Sequence, residues 1–499
     1  MTVAVEAPPQ LERLREILGG VADIRHAESI ASWDSRVTMP VRGAPARAEV
    51  SATLGRLAHQ RFVSEEVGEL LEQLKPYEES LEFDSDDASL IRVTRRDWER
   101  NRRVPPELVG EIWRSNGIGV AAWDEAKAAS DFASFAPHLE RQLDLRRRYI
   151  DCFPPADERY DVLLEDYEPG MTAAQVSAIF ADVKEATLPL IQAAPEIDDS
   201  FLHGEFPVAA QEEASRRVLA AFGWDESRWR LDVTSHPFEA NSCVDDIRLT
   251  THYEPDDIHS LFSTMHEFGH GVYEAGVDPA LGRTPLETGT SSMLHESQSR
   301  TWENLVGRSR PFWRWFYPTL RELFPAQLGN VGEDDFYRAV NAIKPSVIRF
   351  DADEVTYNLH IILRYELERD LLEGRLTVAD VPAAWNASMK EYLGVEPEDD
   401  AHGVLQDMHW GGGHIGYFPT YSLGNVVSVQ IWNRARADLN DLDEQLTRGE
   451  FGPLREWLRE HVYRYGRKFA PKELIERITG GPIDAGPYVE YLREKLSSL

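Results

Sequence analysis

Two histidines that lie four residues apart, His266 and His270, stand in the segment HEFGH, and Glu267 follows the first of them. Residues four apart share one face of a helix, so both imidazoles can reach the same cation. The adjacent carboxylate then lies near a water bound to that cation and can take a proton from it. The spacing therefore predicts a metal site that activates water for hydrolysis. The alternative is two hydrogen-bonded histidines on an ordinary buried helix.

A catalytic zinc ion needs a third protein ligand and an open position for water. Downstream, the segment HESQSR offers His295 and Glu296 at the start of another helical stretch. Either residue can complete the site on this reasoning. We favour Glu296, because it stands where a serine-rich segment begins a helix rather than in a run of charges.

Helices must position these residues, because apolar side chains recur at three- and four-residue steps along most of the chain. The clearest helical segments are residues 11–33, 65–81, 173–194 and 355–374. Thr172 suits the start of the third segment and Gly374 the end of the fourth. Alternation typical of strands is sparse, and the stretch from Trp229 to Tyr253 predicts a short hairpin or small sheet. No linker or repeat marks a domain boundary, so we predict a single catalytic unit over residues 1–499.

The composition is that of an acidic globular protein. The chain has 86 acidic and 53 basic side chains and a formal net charge of −33, which argues against nucleic acid or a membrane as a partner. No apolar run approaches the roughly 20 residues that span a bilayer. Two cysteines, Cys152 and Cys243, suit a reducing cytoplasm, where we expect the protein to reside. The charge also predicts a salt-adapted, halophilic protein, with a merely acidic protein as the alternative.

Further motifs accompany the histidines along most of the chain. They are WDSRVTMP at Trp33, YEPGMT at Tyr167, HPF at His236, DIRLT at Asp246, IRFDADEVTYNLH at Ile348, GVLQDMHW at Gly403 and GYFPTYSLG at Gly416. Together with HEFGH and HESQSR they resemble the carboxypeptidase Taq family of HExxH zinc metallocarboxypeptidases. Two details depart from the family pattern: Gly411 replaces the usual serine, and THY follows DIRLT.

The resemblance implies a metal site and catalytic groups. The implied ligands of one divalent metal ion per chain, zinc or alternatively cobalt, are His266, His270 and Glu296. Glu267 is then the general base for the metal-bound water that attacks the peptide carbonyl. His409 and Tyr421 are the implied donors to the oxyanion, and Tyr417, otherwise a substrate-binding residue, is the reserve.

The resemblance also implies groups that bind the substrate. A carboxypeptidase must hold a terminal carboxylate, and a bidentate arginine does this best. Arg349 is the implied clamp, while Arg248 and His236 are further substrate-binding residues. The alternative is that either arginine only pairs with a nearby acid such as Asp246 or Asp353.

The implied activity is the removal of single residues from peptides with a free C-terminus, with broad specificity but not for proline. The implied fold is mainly α: a large helical saddle- or clam-shaped metallopeptidase like neurolysin and angiotensin-converting enzyme. It has a deep active-site groove between two helical lobes and a small β element. The implied assembly is a homodimer. An oligopeptidase or dipeptidyl carboxypeptidase on the same scaffold is the alternative, because these enzymes share the chemistry at the metal. A non-catalytic binding protein is disfavoured, since it would not need Glu267.

Overall fold

The computed structural model describes residues 6–499, most of which lie in α-helices. In chain order the α-helices are α1 Pro9–Val37, α2 Ala44–Phe62, α3 Glu65–Glu79, α4 Asp86–Asn101, α5 Pro106–Ala129, α6 Phe132–Ile150, α7 Arg159–Leu164, α8 Ala173–Ala193, α9 Val208–Phe222, α10 His259–Gly276, α11 Ser292–Arg300, α12 Arg310–Leu323, α13 Pro325–Leu328, α14 Glu333–Val340, α15 Tyr357–Glu373, α16 Val381–Leu393, α17 Pro419–Asp438, α18 Leu442–Thr447, α19 Gly452–His461, α20 Pro471–Thr479 and α21 Gly486–Ser497. The 3-10 helices are Val41–Gly43, Ser200–Leu202, Pro279–Leu281, Arg349–Asp351, Val378–Asp380 and Tyr463–Tyr465, and a π-helix, Thr301–Val306, continues α11. The strands are β1 Trp229–Val233, β2 Glu239–Cys243 and β3 Asp246–Thr251.

This content confirms the prediction of a mainly α fold with a small β element. Helices α1, α3, α8 and α15 correspond to the four helical segments that the sequence pattern predicts. Among the described helices, none combines the length and the apolar character that crossing a membrane requires.

The ends of two predicted helices carry the capping contacts that their residue types favour. At the start of α8, the Thr172 hydroxyl accepts a hydrogen bond from the Gln175 N–H at 3.3 Å, and the Gln175 side chain accepts one from the Thr172 N–H at 3.2 Å. Before α15, Asp353 accepts hydrogen bonds from the Thr356 N–H and hydroxyl. At the end of α15, Gly374 adopts φ 71°, a left-handed conformation that glycine takes without strain. Local sequence therefore determines where these helices begin and end.

The small sheet has the strand order β1–β3–β2. β1 runs parallel to β3, with Trp229 opposite Ile247, while β2 pairs with β3 antiparallel, with Ala240 opposite Arg248. The small sheet predicted between Trp229 and Tyr253 is thus confirmed. The segment EANSC of β2 contains no β-branched or aromatic residue. Its pairing with β3, rather than its own β-propensity, therefore makes it a strand.

The chain divides into two compact units, each assembled from three segments. The first unit comprises the described residues up to Arg102, Asp199–Tyr337 and Ile431–Pro482, and the second comprises Arg103–Asp198, Arg338–Gln430 and Ile483–Leu499. The first unit contains the sheet and the HEFGH and HESQSR motifs. The second contains the IRFDADE motif and the segment HWGGGHIGY, residues 409–417, which we call the glycine-rich segment. That residues 1–499 act as a single catalytic unit stays a prediction.

Candidate active site

Helix α10 carries the HEFGH motif and packs against both α11 and the sheet. At Gly269, a Cβ atom would lie 2.4 Å from the backbone oxygen of Gln298 in α11. At Gly271, it would lie 2.8 Å from the side chain of Leu249 in β3. Because both positions lack a side chain, the two neighbours approach the backbone of α10 closely. This approach brings Glu296, at the middle of α11, to the histidines of the motif.

The three predicted ligands form a compact group. The candidate donor atoms of His266, His270 and Glu296 all lie within 4.8 Å of one another. Glu296 Oε2 lies 3.7 Å from His266 Nε2 and 3.4 Å from His270 Nε2. Ligands about 2.1 Å from a tetrahedral zinc ion are separated by about 3.4 Å, so the two distances to Glu296 fit such a cation. Three ligands would leave one position of the tetrahedron for water. His295, the alternative third ligand, is not part of the group.

Instead, His295 contacts the Nδ1 side of the His270 ring. The two Nδ1 atoms lie 2.6 Å apart, and His295 Nε2 lies 2.7 Å from Glu274 Oε1. Glu274 also accepts hydrogen bonds from the Thr288 hydroxyl and the Gly289 N–H. If His295 donates its Nε2–H to this carboxylate, its Nδ1 accepts the Nδ1–H of His270. The tautomer of His270 is then the one whose Nε2 lone pair faces the cation position.

The ring of the other histidine, His266, contacts a carboxylate directly. His266 Nδ1 lies 2.8 Å from Glu303 Oε2, in the π-helix after α11. Arg300 donates from Nε to Glu296 Oε1 at 2.7 Å and from Nη1 to Glu303 Oε2 at 3.1 Å. Since Arg300 holds Oε1 of Glu296, Oε2 is the oxygen left for a cation. Neither Glu274 nor Glu303 was predicted from the sequence. The spacing of Glu303 from Glu296, seven residues, does predict a shared helix face.

Electrostatics favour the states that metal binding needs in His270 and Glu296. In His266, burial alone would lower the pKa, but the charges of Glu296 and Glu303 raise it. Burial lowers the pKa of His270 to about 4, so its imidazole stays neutral. Burial alone would raise the pKa of Glu296, but the charges of Arg300 and His266 hold it well below its usual range. Burial raises the pKa of Glu267 to about 7, against the opposing charge of His266. A carboxyl group with a pKa near neutrality can both take and return a proton.

In the second unit, Arg349 is held by Asp407 rather than by Asp353. Its Nε and Nη2 donate to Asp407 Oδ1 at 3.0 and 2.7 Å, and its Nη1 donates to the Tyr357 hydroxyl at 2.9 Å. A guanidinium has five N–H bonds, so one on Nη1 and one on Nη2 remain. Arg364, which is fully buried, donates to the other oxygen, Asp407 Oδ2, at 2.7 Å.

Two arginines thus share one carboxylate. Burial alone would raise the pKa of Asp407, but Arg349 and Arg364 hold it well below its usual range, so the carboxyl is ionised at neutral pH. The side chain of Arg349 is 13% exposed, so the protein does not enclose it completely. Asp407 was not predicted as a partner of Arg349, because 58 residues separate the two in the sequence.

The other predicted catalytic residues of this unit lie beside Arg349. Its guanidinium carbon is 5.3 Å from the centre of the Tyr421 ring, and the Tyr421 hydroxyl lies 3.2 Å from His409 Nε2. The Tyr417 ring stacks on His409 at 5.8 Å and meets Tyr421 edge-on at 5.2 Å. Burial, together with the charge of Arg349, lowers the pKa of His409 to about 3, although Asp407 opposes this. His409 is therefore neutral, with one N–H to donate.

Arg248 and His236 lie in the first unit. Arg248 donates to Asp246 through Nε and Nη2, at 2.9 and 3.0 Å. The Arg248 guanidinium lies 4.6 Å from the centre of the Trp33 ring. His236 is exposed in the loop between β1 and β2. The pairing expected as the alternative for Arg248 is thus present, and a role in substrate binding stays a prediction for both residues.

Comparison with known proteins places this geometry in context. Residues 13–496 match the family model described as carboxypeptidase Taq (M32) metallopeptidase. The chain is 40% identical to thermostable carboxypeptidase 1 of Thermus thermophilus over 98% of both chains, and 37% identical to carboxypeptidase 1 of Bacillus subtilis over 97% of both. The crystal structure of an M32 carboxypeptidase from Deinococcus radiodurans is similar with a TM-score of 0.94 at 41% identity, over 98% of this chain and 99% of that one.

Proposed function

Because the chain belongs to the carboxypeptidase Taq (M32) metallopeptidase family and is therefore a metallocarboxypeptidase, we propose that it removes single residues from peptides that have a free C-terminus. This proposal rests mainly on the hydrogen bonds that Arg349 forms and on the N–H groups that it retains. Two arginines share the single carboxylate of Asp407, and Arg349 keeps one N–H on each terminal nitrogen. A terminal carboxylate is the planar anion that such a pair of donors recognises.

We assign one divalent cation per chain to His266, His270 and Glu296, zinc or alternatively cobalt. When bound, this cation supplies a Lewis acid that acidifies water and polarises a peptide carbonyl. Glu267 takes the proton of the attacking water and passes it to the leaving amine.

Neutral donors then stabilise the charge that develops on the carbonyl oxygen. His409 and Tyr421 fill this role in our proposal. Their polar atoms form a mutual hydrogen bond at 3.2 Å, and the developing oxyanion would take its place as the acceptor. One such donor contributes about 3 kcal/mol to lowering the barrier. Tyr417, which stacks on His409, is the reserve donor and otherwise lines the substrate site. Arg248 and His236 complete the proposed substrate contacts.

The remaining properties rest on the resemblance and on composition. We propose broad side-chain specificity without release of proline, a homodimer and a cytoplasmic location. The net charge of −33 supports salt adaptation, because salt screens the self-repulsion of an acidic surface. Circular dichroism across a salt series tests this point, and structure that is unchanged at low salt would contradict it.

The decisive experiment compares one unblocked peptide with its C-terminally amidated twin, with mass spectrometry of the products and added zinc or cobalt. We expect stepwise loss of single residues from the free peptide alone, abolished by a chelator and by the Glu267→Gln substitution. Internal cuts or released dipeptides, above all from the amidated twin, would establish the oligopeptidase or dipeptidyl carboxypeptidase alternative. In that case Arg349 would not have the proposed task.

A further inference from the structure

Glu368 is a carboxylate inside the second unit to which the proposed chemistry gives no task. It is 1% exposed, and three neutral donors converge on it. Trp410 Nε1–H donates to Oε1 at 2.9 Å, while the Gly416 N–H and the Tyr160 hydroxyl donate to Oε2 at 3.0 and 2.8 Å. An acid placed among neutral donors in the protein interior is costly to bury, so its contacts need an explanation.

Two of the three donors belong to the glycine-rich segment, and each adjoins a proposed active-site residue. Trp410 follows His409 directly, and Gly416 precedes Tyr417 directly. Glu368 thus connects both ends of the segment to α15. Between these ends the backbone turns on itself, and the His414 N–H donates to the carbonyl of His409 at 2.8 Å.

The segment has a second support at Gly411. Gln142 of α6 donates from Nε2 to the carbonyl of Gly411 at 2.8 Å. A Cβ at Gly411 would lie 2.8 Å from the carbonyl oxygen of Gly119 in α5, so the two backbones touch without a side chain between them. The segment is therefore packed against α5 and α6 at Gly411, while Glu368 provides its polar attachment at Trp410 and Gly416.

We propose that Glu368 is a positioning residue that holds the glycine-rich segment so that His409 and Tyr417 face the substrate. This inference rests on the proposed function, in which His409 donates to the developing oxyanion. A carboxylate suits the task because it offers acceptors to both ends of the segment at once. No neutral side chain of similar size does so.

The Glu368→Gln variant tests the inference, because an amide keeps one oxygen and replaces the other with an NH2 group. Whichever way the amide is turned, either the Trp410 or the Gly416 N–H then faces a donor. We expect kcat on the unblocked peptide to fall about 100-fold, as is typical when a catalytic group is misplaced by about 1 Å. KM should change by less than about threefold, because Arg349 is held separately by Asp407.

The matched control is Tyr160→Phe, which removes the one donor to Glu368 that does not belong to the segment. We expect this variant to keep kcat within about twofold of the wild type. Amide hydrogen exchange provides a second readout that needs no activity: exchange around Gly416 should accelerate in Glu368→Gln and stay unchanged in the control. Metal affinity, from chelator competition, should be equal in all three proteins.

Unchanged kcat in Glu368→Gln, or equal losses in both variants, would overturn the inference. A failure of the proposed function has a different signature, since the wild type would then show no stepwise release of C-terminal residues. Faster exchange around Gly416 in a protein whose kcat is unaffected would show that Glu368 holds the segment without positioning a group for the reaction, which also refutes the inference.

Discussion

The Arg349→Lys substitution probes the assignment of the carboxylate clamp. Lysine keeps the positive charge but replaces a planar fork with a single ammonium group. In the wild type, Asp407 and the Tyr357 hydroxyl take three of the five N–H bonds, and two remain for a ligand. An ammonium has three N–H bonds, so one that stays paired with both Asp407 and the Tyr357 hydroxyl presents one donor to the substrate instead of two.

The expected loss follows from this difference of one charge-assisted hydrogen bond. Such a bond contributes about 2 kcal/mol, and each 1.4 kcal/mol corresponds to about a tenfold change, so kcat/KM on an unblocked peptide should fall about 30-fold. The amidated twin has no carboxylate to lose, so its residual turnover should change by less than about twofold. The ratio between the two peptides is therefore the informative quantity.

A continuous assay on both peptides, with kcat and KM measured separately, checks this expectation. Arg369→Lys is the matched control, because Arg369 lies in the same unit and donates to Glu158 through Nε and Nη2, as Arg349 does to Asp407. The control should retain the wild-type ratio between the free and amidated peptides. Equal losses on both peptides, or a control that behaves like Arg349→Lys, would refute the reasoning.

Three further predictions concern metal binding, packing and pH. His295→Ala should weaken metal binding about 10- to 100-fold in chelator competition, and wild-type affinity would show that its contact with His270 is dispensable. Gly411→Ser, which restores the residue usual in the family, should lower thermal stability by roughly 1–3 kcal/mol, because its Cβ would lie 2.8 Å from the carbonyl oxygen of Gly119; an unchanged Tm would contradict this. Asp407→Asn should cost roughly 3–5 kcal/mol at pH 7 in urea unfolding, because two arginines lose their carboxylate. The folded pKa of Asp407 is depressed, so its contribution is present above about pH 4 and is lost as the pH falls further. The difference in the free energy of unfolding between the wild type and Asp407→Asn should therefore narrow in acid. A difference that stays constant with pH would exclude the ionised Asp407 carboxylate as its origin.

The parts of the fold that depend on neighbouring residues were predictable from the sequence. Apolar periodicity identifies α1, α3, α8 and α15, and the residue types of Thr172 and Gly374 mark two of their ends. The spacing of HEFGH likewise identifies two groups on one helix face. These features are local, so a single sequence contains the information that specifies them.

Features that depend on distant parts of the chain were not predictable in this way. The parallel pairing of β1 with β3 and the strand β2 arise from tertiary contacts rather than from propensity. Glu274 reaches the ligand set only through His295, and Asp407 meets Arg349 across 58 residues. Many acids stand at comparable positions in so acidic a chain, and no local pattern distinguishes Asp407 among them.

Helix α15 organises the candidate functional groups of the second unit. Tyr357, Arg364 and Glu368 are separated by seven and four residues, which places them within about 40° of one another around the helix axis. Each side chain of this stripe contacts a different functional group: Tyr357 binds Arg349, Arg364 binds Asp407, and Glu368 binds the glycine-rich segment. The residues that contact the proposed carboxylate clamp and the segment of the proposed oxyanion donors therefore lie on one face of α15. Inserting one residue within α15 would rotate part of the stripe by about 100° and separate groups that the reaction needs together.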